Sequence, residues 1–308
     1  MYLHKKLCVV GASNIDITGF TRDKLIYQDA NIGSMKTSSG GVGRNIAENL
    51  VRLGFDVNLI SVFGDDPLSS YIIDSCRNLN IRIDDSLFLK NSSAATFLAI
   101  MDEHNDLAVG ISAMGVYNKI SDDFILSKLE TLQAADLVVL ETNMPKKILQ
   151  TIVNHAPDKK YVVDTVSGKK ALRVKDILSK LYILKTNLLE AQMLSDIKVE
   201  NESDYDRLIQ FFLNKGVKNI FITLGKDGVV YGNHQLIHMK KPIVSVVVNT
   251  IGAGDSFVAG LICADALGLD IDKMAIYGMA SASINVAHEL AVSPEMKLEN
   301  IRKIIENE

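Results

Sequence analysis

The segment NTIGAGDSF (residues 249–257) places two glycines and an aspartate between two apolar runs. The preceding run, IVSVVV (243–248), has the composition of a strand, whereas residues 257–267 are apolar almost all round, which is typical of a buried helix. Gly268 is then expected to end this helix. The glycines therefore lie at a predicted strand-to-helix turn, and the helix N-terminus presents the backbone N–H groups of Gly252, Ala253, Gly254 and Asp255. These donors have no partner within the helix, so the turn is suited to bind an anion.

Asp255 adds a carboxylate beside this predicted anion site. Two interpretations are open. The carboxylate can act as a helix cap, which contributes about 0.5–2 kcal/mol. It can also act as a general base that takes the proton of a hydroxyl group while the nearby N–H groups stabilise a transferring phosphoryl group.

Outward from this turn, apolar strand-like runs alternate with helical patterns. The strand-like runs cover residues 7–12, 57–64, 136–141, 160–164, 181–185 and 219–225, and the helical patterns cover 44–54, 145–155, 187–195 and 204–214. This alternation predicts an α/β fold with a mostly parallel central sheet and helices on both faces.

Two segments, at about residues 16–39 and 92–112, lack a helical pattern and are predicted to be extended. The second is expected to form a hairpin that turns at EHND (103–106). Together they predict a small second sheet. In an α/β enzyme such a sheet can cover the ligand site as a lid. It can also be an edge extension or a dimer surface.

The composition excludes several classes of protein. The 308 residues carry 33 basic and 37 acidic side chains, a net charge of −4, and no basic stripe, which argues against nucleic-acid binding. Cys8, Cys76 and Cys263 are far apart, so neither a disulfide framework nor a cysteine zinc site is expected, and the six histidines show no metal-ligand spacing. No run approaches the ~20 apolar residues of a membrane span, and the N-terminal run is too short for a signal peptide.

No linker rich in Pro, Gly or Ser divides the chain, so residues 1–308 are predicted to form one domain with a lid, in a cytoplasmic protein. The patterns GxxxxGK[ST] and GxGxxG are absent, which argues against a Walker-A protein and against a NAD-dependent Rossmann enzyme. A second glycine cluster, SSGGVGRNIAENL (38–50), leads into the first helical pattern. Taken alone, it is more typical of a structural turn than of a ligand site.

Five motifs in order along the chain resemble those of the PfkB, or ribokinase-like, carbohydrate kinases. They are GASNID (11–16), GGVGRNIAENLVRLG (40–54), KTNLLEA (185–191), TLGKDGVVY (223–231) and NTIGAGDSFVAG (249–260). The resemblance covers essentially the whole chain. It implies a ribokinase-like three-layer sandwich with a small β-sheet lid, and transfer of the γ-phosphoryl group of ATP, with Mg²⁺, to a hydroxyl group.

Within the family, the N-terminal motifs most resemble those of pseudouridine kinases, so the expected acceptor is the 5′-hydroxyl of pseudouridine. Ribose, adenosine or another furanoside is the alternative acceptor. A sugar or nucleotide sensor without catalysis is a more distant alternative, and the retained Asp255 argues against it.

The resemblance also implies roles for the matching residues. Asp255 matches the catalytic base, and the amides of Gly252, Ala253 and Gly254 match the anion hole. The residues that match the sugar site are Asn14, Asp16, Gly41 and Asn45. Asn187 and Glu190 match an NxxE motif that organises Mg²⁺ and phosphate, often through water. Thr223, Gly225 and Gly228 match the lining of the nucleotide site.

Two further substrate contacts are suggested by position alone. Ser112 ends the second lid segment, and Glu141 ends a buried strand, where ligands bind in such sheets. A serine in a lid turn and an ordinary strand-end carboxylate are the alternatives for these two residues.

Asn249 departs from the family pattern, which usually has Asp at this position, associated with a monovalent-cation site near the anion hole. Asn keeps an oxygen ligand but loses the charge, so K⁺ dependence is expected to be weak or absent. Family members often pair through the lid sheet, and the resemblance therefore also implies a homodimer.

Overall fold

The computed structural model describes residues 5–104, 106–243 and 246–307. Its strands are β1 (Lys6–Val10), β2 (Asn14–Thr21), β3 (Gly33–Gly40), β4 (Asp56–Ile60), β5 (Val62–Phe63), β6 (Leu87–Phe88), β7 (Thr96–Met101), β8 (Leu107–Ala113), β9 (Leu137–Glu141), β10 (Tyr161–Asp164), β11 (Leu181–Asn187), β12 (Asn219–Thr223), β13 (Val229–Gly232) and β14 (Ile237–Lys240).

Its α-helices are α1 (Val42–Arg52), α2 (Pro67–Asn78), α3 (Asp122–Leu126), α4 (Leu129–Ala134), α5 (Lys146–His155), α6 (Gly168–Ala171), α7 (Leu188–Ser195), α8 (Ser203–Asn214), α9 (Ala253–Ala266), α10 (Ile271–Val286) and α11 (Leu298–Glu306).

The main sheet has eight strands in the order β14-β13-β12-β11-β10-β9-β1-β4. All neighbouring pairs from β12 to β4 are parallel, whereas β13 and β14 are antiparallel additions at one edge. The parallel strands are apolar almost throughout because both of their faces are covered, as parallel strands require. The predicted mostly parallel sheet is therefore confirmed.

Helices cover this sheet on both faces, which confirms the predicted three layers. Leu7 and Val9 of β1 face a core built with α1, α2, α9, α10 and α11. Cys8 and Val10, the alternate residues of the same strand, face a second core built with α3, α4, α5, α7 and α8. Because side chains alternate along a strand, one short apolar strand supplies both cores. Cys8, Cys76 and Cys263 are buried as free thiols.

The predicted second sheet is also confirmed. It has four strands in the order β3-β2-β7-β8, with β2 antiparallel to β3, parallel to β7, and β7 antiparallel to β8. The β7–β8 hairpin turns where EHND predicts it, although Asn105 lies outside the described residues. We refer to these four strands as the small sheet.

The strand predicted at 243–248 is wrong for the residues that the structure describes. β14 ends at Lys240, and neither Ile243 nor residues 246–248 belong to a strand; residues 244–245 lie outside the described residues. The backbone amides of Val248 and Asn249 both donate to the carbonyl of Val286, at the end of α10. The apolar run thus crosses the end of a helix instead of pairing in the sheet, and Val246 is 78% exposed. Within the described part of the chain, no helix is both long and apolar enough to cross a lipid bilayer.

Candidate active site

The site begins at the N-terminus of α9, which starts at Ala253, four residues before the apolar pattern alone indicated. The residue that precedes the helix, Gly252, has a positive φ of 77°. A Cβ atom at this position would lie 1.9 Å from the carbonyl oxygen of Ala291. A side chain is therefore excluded both by the backbone conformation and by the neighbouring chain. Gly268 follows the helix with a φ of 72°, as expected for a helix end.

The backbone N–H groups of this turn are largely free to bind a ligand. The amide of Ala253 donates to the carbonyl of Thr250 at 3.3 Å. Among the described residues, those of Gly252, Gly254 and Asp255 have no hydrogen-bond acceptor. Donors in this position at the start of a 14-residue helix favour an anion.

Asp255 does not cap this helix. Its side chain is 93% buried, and its Oδ2 accepts a hydrogen bond of 2.9 Å from Nδ2 of Asn45. Burial raises the pKa of Asp255 to about 7, and the negative charge of Asp164 adds to this rise. The Asn45 hydrogen bond and the charge of Lys185 oppose the rise. A carboxyl group with this pKa can take and release a proton near neutral pH.

Asn45 is oriented by its own helix. α1 begins after Gly41, so Asn45 lies in the first turn and points toward α9. Nη1 of Arg44 donates to Oδ1 of Asn45 at 3.1 Å, and Nη2 of Arg44 pairs with Glu48 one turn along the helix. Because Arg44 occupies the oxygen of the amide, the nitrogen of Asn45 faces Asp255.

The small sheet contributes Asn14 and Asp16 from β2. Nδ2 of Asn14 donates to Oδ1 of Asp16 at 2.6 Å. Burial raises the pKa of Asp16, against the opposing hydrogen bond from Asn14 and the charge of Arg44. The charge of Asp16 in turn raises the pKa of Asp255.

Cross-strand register places Ser112 on the same face of the small sheet as Asp16. Asp16 pairs with Phe97 of β7, and Phe97 pairs with Ser112 of β8, so the three side chains form one row. The Phe97 ring extends along the sheet to Gly110, where a Cβ atom would lie 3.4 Å from it. Ser112 itself is exposed.

Glu141 differs from the other predicted substrate contacts because its side chain has no exposed surface. Its carboxylate accepts hydrogen bonds from the backbone of Ala12 and of Asn143, and from the Asn143 amide, at 2.5–2.8 Å. Burial raises the pKa of Glu141 to about 7. The side chain connects the ends of β1 and β9, and it positions the chain that leads to Asn14.

Asn187 and Glu190 form a capping box at the start of α7. Oδ1 of Asn187 accepts from the amide of Glu190 at 2.9 Å, and the carboxylate of Glu190 accepts from the amide and the side chain of Asn187. Oε2 of Glu190 also accepts from Thr165, and Oε1 carries one hydrogen bond. Hard oxygen ligands of this kind suit Mg²⁺, which proteins usually hold with one or two carboxylates, water and substrate phosphates. In the described ranges, no group of three or more His, Cys, Asp or Glu side chains could hold a metal ion.

Thr223, Gly225 and Gly228 lie at the end of β12 and in the turn that leads to β13. Oγ1 of Thr223 donates to the carbonyl of Thr186 at 3.3 Å. Both glycines have positive φ, and the turn closes through a hydrogen bond from the amide of Leu224 to the carbonyl of Gly228. The three residues thus lie beside Asn187, which pairs with Thr223 in the sheet.

Asn249 ties the glycine turn to the chain that follows α10. Its Oδ1 accepts from the amide of Ile251 at 3.0 Å, and its Nδ2 donates to the carbonyl of Glu289 at 2.8 Å. Asn285 makes a parallel connection, from its Nδ2 to the carbonyl of Ile251.

The structure adds two charged residues that sequence reasoning missed. Asp164 ends β10 and Lys185 lies near the end of β11, and both are buried, with charges that act on the pKa of Asp255. Each follows a short apolar run, as Glu141 does. A charged residue at the carboxyl end of a buried parallel strand was the signal that could have identified them.

The parallel strands bring their carboxyl ends to one edge of the sheet, and the residues described above lie there. An ionisable, buried carboxylate next to free helix N–H groups is an arrangement suited to the transfer of an anionic group to a hydroxyl. The small sheet contributes the row of Asp16, Phe97 and Ser112.

Residues 4–297 match the model of the pfkB family carbohydrate kinases, and the chain belongs to this family. It is therefore a phosphotransferase with an alcohol group as acceptor. The chain is 29% identical to the pseudouridine kinase of Escherichia coli (strain K12) over 300 residues, covering 97% of this chain and 96% of that protein.

Two solved structures share the fold. The structure of a putative sugar kinase from Clostridium perfringens has a TM-score of 0.88 at 32% identity and covers 99% of this chain and 96% of its own. The Arabidopsis thaliana ribokinase complexed with ribose and ATP has a TM-score of 0.86 at 19% identity, with 98% of this chain and 99% of its own covered. These likenesses confirm the predicted ribokinase-like fold.

Proposed function

We propose that this protein transfers the γ-phosphoryl group of ATP to the 5′-hydroxyl of pseudouridine, giving pseudouridine 5′-phosphate. The observation that carries the phosphoryl transfer is the carboxylate of Asp255. It is buried, it has a pKa of about 7, and it lies beside the free amides of Gly252 and Gly254. The similarity to a pseudouridine kinase and the N-terminal motifs support the acceptor, and the ATP complex of a structural neighbour supports the donor.

The reaction requires one proton transfer and one displacement at phosphorus. Asp255 takes the proton of the acceptor hydroxyl as its oxygen forms a bond to the γ-phosphorus, and the bond from that phosphorus to the β-phosphate oxygen breaks to release ADP. The amides of residues 252–255 face the negative charge of the migrating group. Asn45 holds the Asp255 carboxylate in place for the hydroxyl.

The acceptor lies between the main sheet and the small sheet. Asp16 is suited to accept hydrogen bonds from two ribose hydroxyls, since an ionised carboxylate offers two oxygens. Asn14 holds Asp16, the turn at Gly41 approaches the sugar, and Ser112 contacts the acceptor from β8. Phe97 lies between Asp16 and Ser112, where an aromatic ring can contact a nucleobase, and this favours a nucleoside over a free sugar.

The phosphoryl donor, ATP, lies along the carboxyl ends of β11 and β12. Thr223, Gly225 and Gly228 would line the nucleotide, and Asn187 and Glu190 would hold Mg²⁺, through water. When bound, Mg²⁺ neutralises charge on the phosphates. Closure of the small sheet as a lid would exclude water and suppress hydrolysis of ATP.

We also infer that two copies of the chain pair through the outer face of the small sheet. This face carries Leu98 and Ile100 together with Met35, Val109 and Ile111, of which Met35 is 73% and Ile111 is 55% exposed. A contiguous apolar face of this kind favours a protein interface. Analytical ultracentrifugation should give a dimer for the native chain and a monomer for Ile111→Lys; a native chain that sediments as a monomer at micromolar concentration contradicts the pairing.

A coupled assay of ADP release tests the proposed acceptor. The purified protein is compared with pseudouridine, uridine, adenosine, ribose and fructose 6-phosphate, with Asp255→Asn as the control for contaminating kinases. The highest kcat/KM is expected for pseudouridine. A preference for ribose or adenosine would assign the protein to the alternative furanoside kinases. A lack of turnover with every acceptor would favour a sensor without catalysis.

A further inference from the structure

A row of buried ionisable side chains lies at the carboxyl ends of three neighbouring strands, and its Lys185 approaches the proposed catalytic turn. Glu141 of β9 pairs in register with Asp164 of β10, which pairs in register with Lys185 of β11. Residues in register on neighbouring strands point to the same face of a sheet. All three are buried, and the proposed chemistry gives no role to Asp164 or Lys185.

Asp164 and Lys185 form an ion pair with little access to water. Nζ of Lys185 lies 2.9 Å from Oδ2 of Asp164, and the two side chains are 9% and 3% exposed, respectively. The other oxygen of Asp164 accepts from the amide of Val166, which fixes the carboxylate at the end of β10. The cost of removing two charges from water often exceeds the attraction that the pair regains, so stability alone does not explain a pair of this kind.

The ammonium group of Lys185 lies against the glycine turn. A Cβ atom at Gly254 would lie 2.5 Å from Nζ of Lys185, so only glycine at this position allows the ammonium to come so close to the turn. The positive charge is therefore placed immediately beside the amides that face the proposed phosphoryl group. A charge fixed in a water-poor site acts more strongly on its neighbours than the same charge at the surface.

The groups that act on the ionisation of Asp255 come from four elements. Asp16 approaches from β2, Asp164 from β10 and Lys185 from β11, while α1 contributes the neutral amide of Asn45. Glu190 of α7 faces Lys185, and Arg44 of α1 acts on Asp16. Among the groups named here, Lys185 is thus the cation whose charge acts directly on the ionisation of Asp255.

The two members of the pair act on Asp255 in opposite directions. After burial, Asp164 is the largest cause that raises the pKa of Asp255, whereas Lys185 lowers it. The ammonium of Lys185 is paired with the Asp164 carboxylate at 2.9 Å, and an opposite charge this close favours the charged form of both groups.

We propose that Lys185, held in place by Asp164, is a positioning residue of the phosphoryl-transfer site, which keeps Asp255 available as a base and adds a fixed positive charge beside the amides of residues 252–255. This inference rests on the proposed function, because it assumes that Asp255 is the base. The ammonium forms no bond to the reacting atoms and loses no proton during turnover. It stabilises the ionised form of Asp255 before the reaction and the negative charge of the phosphoryl group during it.

The pH at which kcat/KM falls on the acid side of its profile, the acid limb, tests this inference. A purely structural role of Lys185 would not shift this limb. Lys185→Met should move this limb to higher pH by about one unit, because an opposite charge nearby typically shifts a carboxyl pKa by roughly 1–3 units. Asp164→Asn should move the limb to lower pH, because the carboxylate that disfavours ionised Asp255 is removed. The titration of ATP is common to all variants and cancels in the comparison. Lys180→Met, which removes an exposed lysine just before β11, is the matched control and should leave the limb in place.

Limbs that do not move, or that move in the same direction in both variants, would overturn the inference. Lys185→Met leaves Asp164 buried without its partner and can reduce folding, so thermal unfolding is measured for each variant. The double variant with Lys185→Met and Asp164→Asn removes both charges. The double variant should unfold near the temperature of the native protein, and the acid limb of its kcat/KM profile should lie close to the native position. Its plateau kcat should still be reduced roughly tenfold or more, because the loss of one group that stabilises charge in the transition state can have an effect of this size. A native plateau kcat in the double variant also overturns the inference.

Failure of the proposed function looks different. If the native protein phosphorylates none of the acceptors, the proposed function fails and this inference fails with it. If the native protein is active and Asp255→Asn is not, but the limbs of the Lys185 and Asp164 variants coincide with the native limb, only the role of the ion pair is wrong.

Discussion

The two halves of the candidate site differ in how much of their surface the protein itself covers. Around α9, the side chains of Asp255, Asn45, Asp164 and Lys185 are all buried, and each is held by a hydrogen bond or an ion pair. In the small sheet, β8 is exposed along nearly its whole length, and Ser112 at its end is open to solvent. One half is complete without a ligand, whereas the row of Asp16, Phe97 and Ser112 in the other half ends at an exposed side chain.

This difference suggests that the buried half around α9 determines the type of reaction, whereas the exposed half in the small sheet determines the choice of acceptor. Groups that stabilise charge in a transition state act best when they are already in place, because no energy is then spent on arranging them during the reaction. Groups that select an acceptor can be completed by closure over it. Changes near α9 should therefore lower the rate for every acceptor, whereas changes in the small sheet should alter the ranking of acceptors.

The largest effect is expected for Asp255→Asn. A general base contributes typically about 10²–10⁴-fold to the rate, and kcat should fall by this factor for every acceptor. The amide keeps the size of the side chain, so nucleotide affinity measured by calorimetry should change little. Asp265→Asn, on the same helix at a distance from the site, is the matched control. A near-native kcat for Asp255→Asn would remove this residue from the role of base.

The pH dependence follows from the same carboxylate. Since the pKa of Asp255 is raised to about 7 by burial, the ionised form that can take a proton is lost as the pH falls through this value. The logarithm of kcat/KM should therefore fall by one unit per pH unit below about pH 7. Rates measured from pH 5 to 9 check this. A profile that stays flat down to pH 5 would contradict an Asp255 with this pKa.

Much of the region around α9 could be predicted from the sequence, because local rules determine it. The helix N-terminus at Gly252–Asp255 follows from the glycines and the apolar run after them, and the parallel sheet follows from the alternation of patterns. The error at residues 243–248 has a clear origin. A run of valines suits a strand, but strand pairing also needs a neighbour, and this run contacts the end of α10 instead. Composition alone contains no information on that contact.

The ion pair of Asp164 and Lys185 could not be derived in the same way. The two residues are 21 positions apart, and their contact depends on the register between β10 and β11, which a one-residue shift would destroy. The hydrogen bond from Asn45 to Asp255 spans 210 positions. Sequence patterns identified both of its partners through family resemblance, but the distance between them required the structure.

In the small sheet, Asp16→Ala should lower kcat/KM for every acceptor with a ribose ring. Hydrogen bonds to a charged group contribute about 1.5–3 kcal/mol, which corresponds to roughly a 10- to 100-fold loss. Thr18→Ala, two residues further along the same face of β2, is the control. An unchanged kcat/KM in Asp16→Ala would remove this residue from the sugar site.

Phe97→Ala should distinguish acceptors from one another. If the ring contacts a nucleobase, its loss should lower kcat/KM roughly 3- to 10-fold for pseudouridine, in line with aromatic contacts of about 0.5–1.5 kcal/mol, and leave ribose nearly unaffected. Ribose thus serves as the control within one variant. Equal losses for both acceptors would mean that Phe97 supports the small sheet and not the base.

The smallest effect is expected from K⁺. A cation site beside the glycine turn needs oxygen ligands, but Nδ2 of Asn249 points its N–H toward the carbonyl of Glu289, and its Oδ1 is used by the amide of Ile251. An N–H donor cannot bind a cation, and the N–H of Asn249 is hydrogen-bonded to the Glu289 carbonyl, an oxygen that could otherwise bind one. Turnover in K⁺ and in tetramethylammonium buffers should therefore agree within about twofold, which corresponds to less than about 0.5 kcal/mol.

The variant Asn249→Asp provides a sharper test. A carboxylate cannot donate to the Glu289 carbonyl, and the two would repel each other unless a cation lies between them, so this variant should become more active with K⁺ than without it. Strong activation of the native protein by K⁺ would show that the Asn249 side chain turns its oxygen toward a cation.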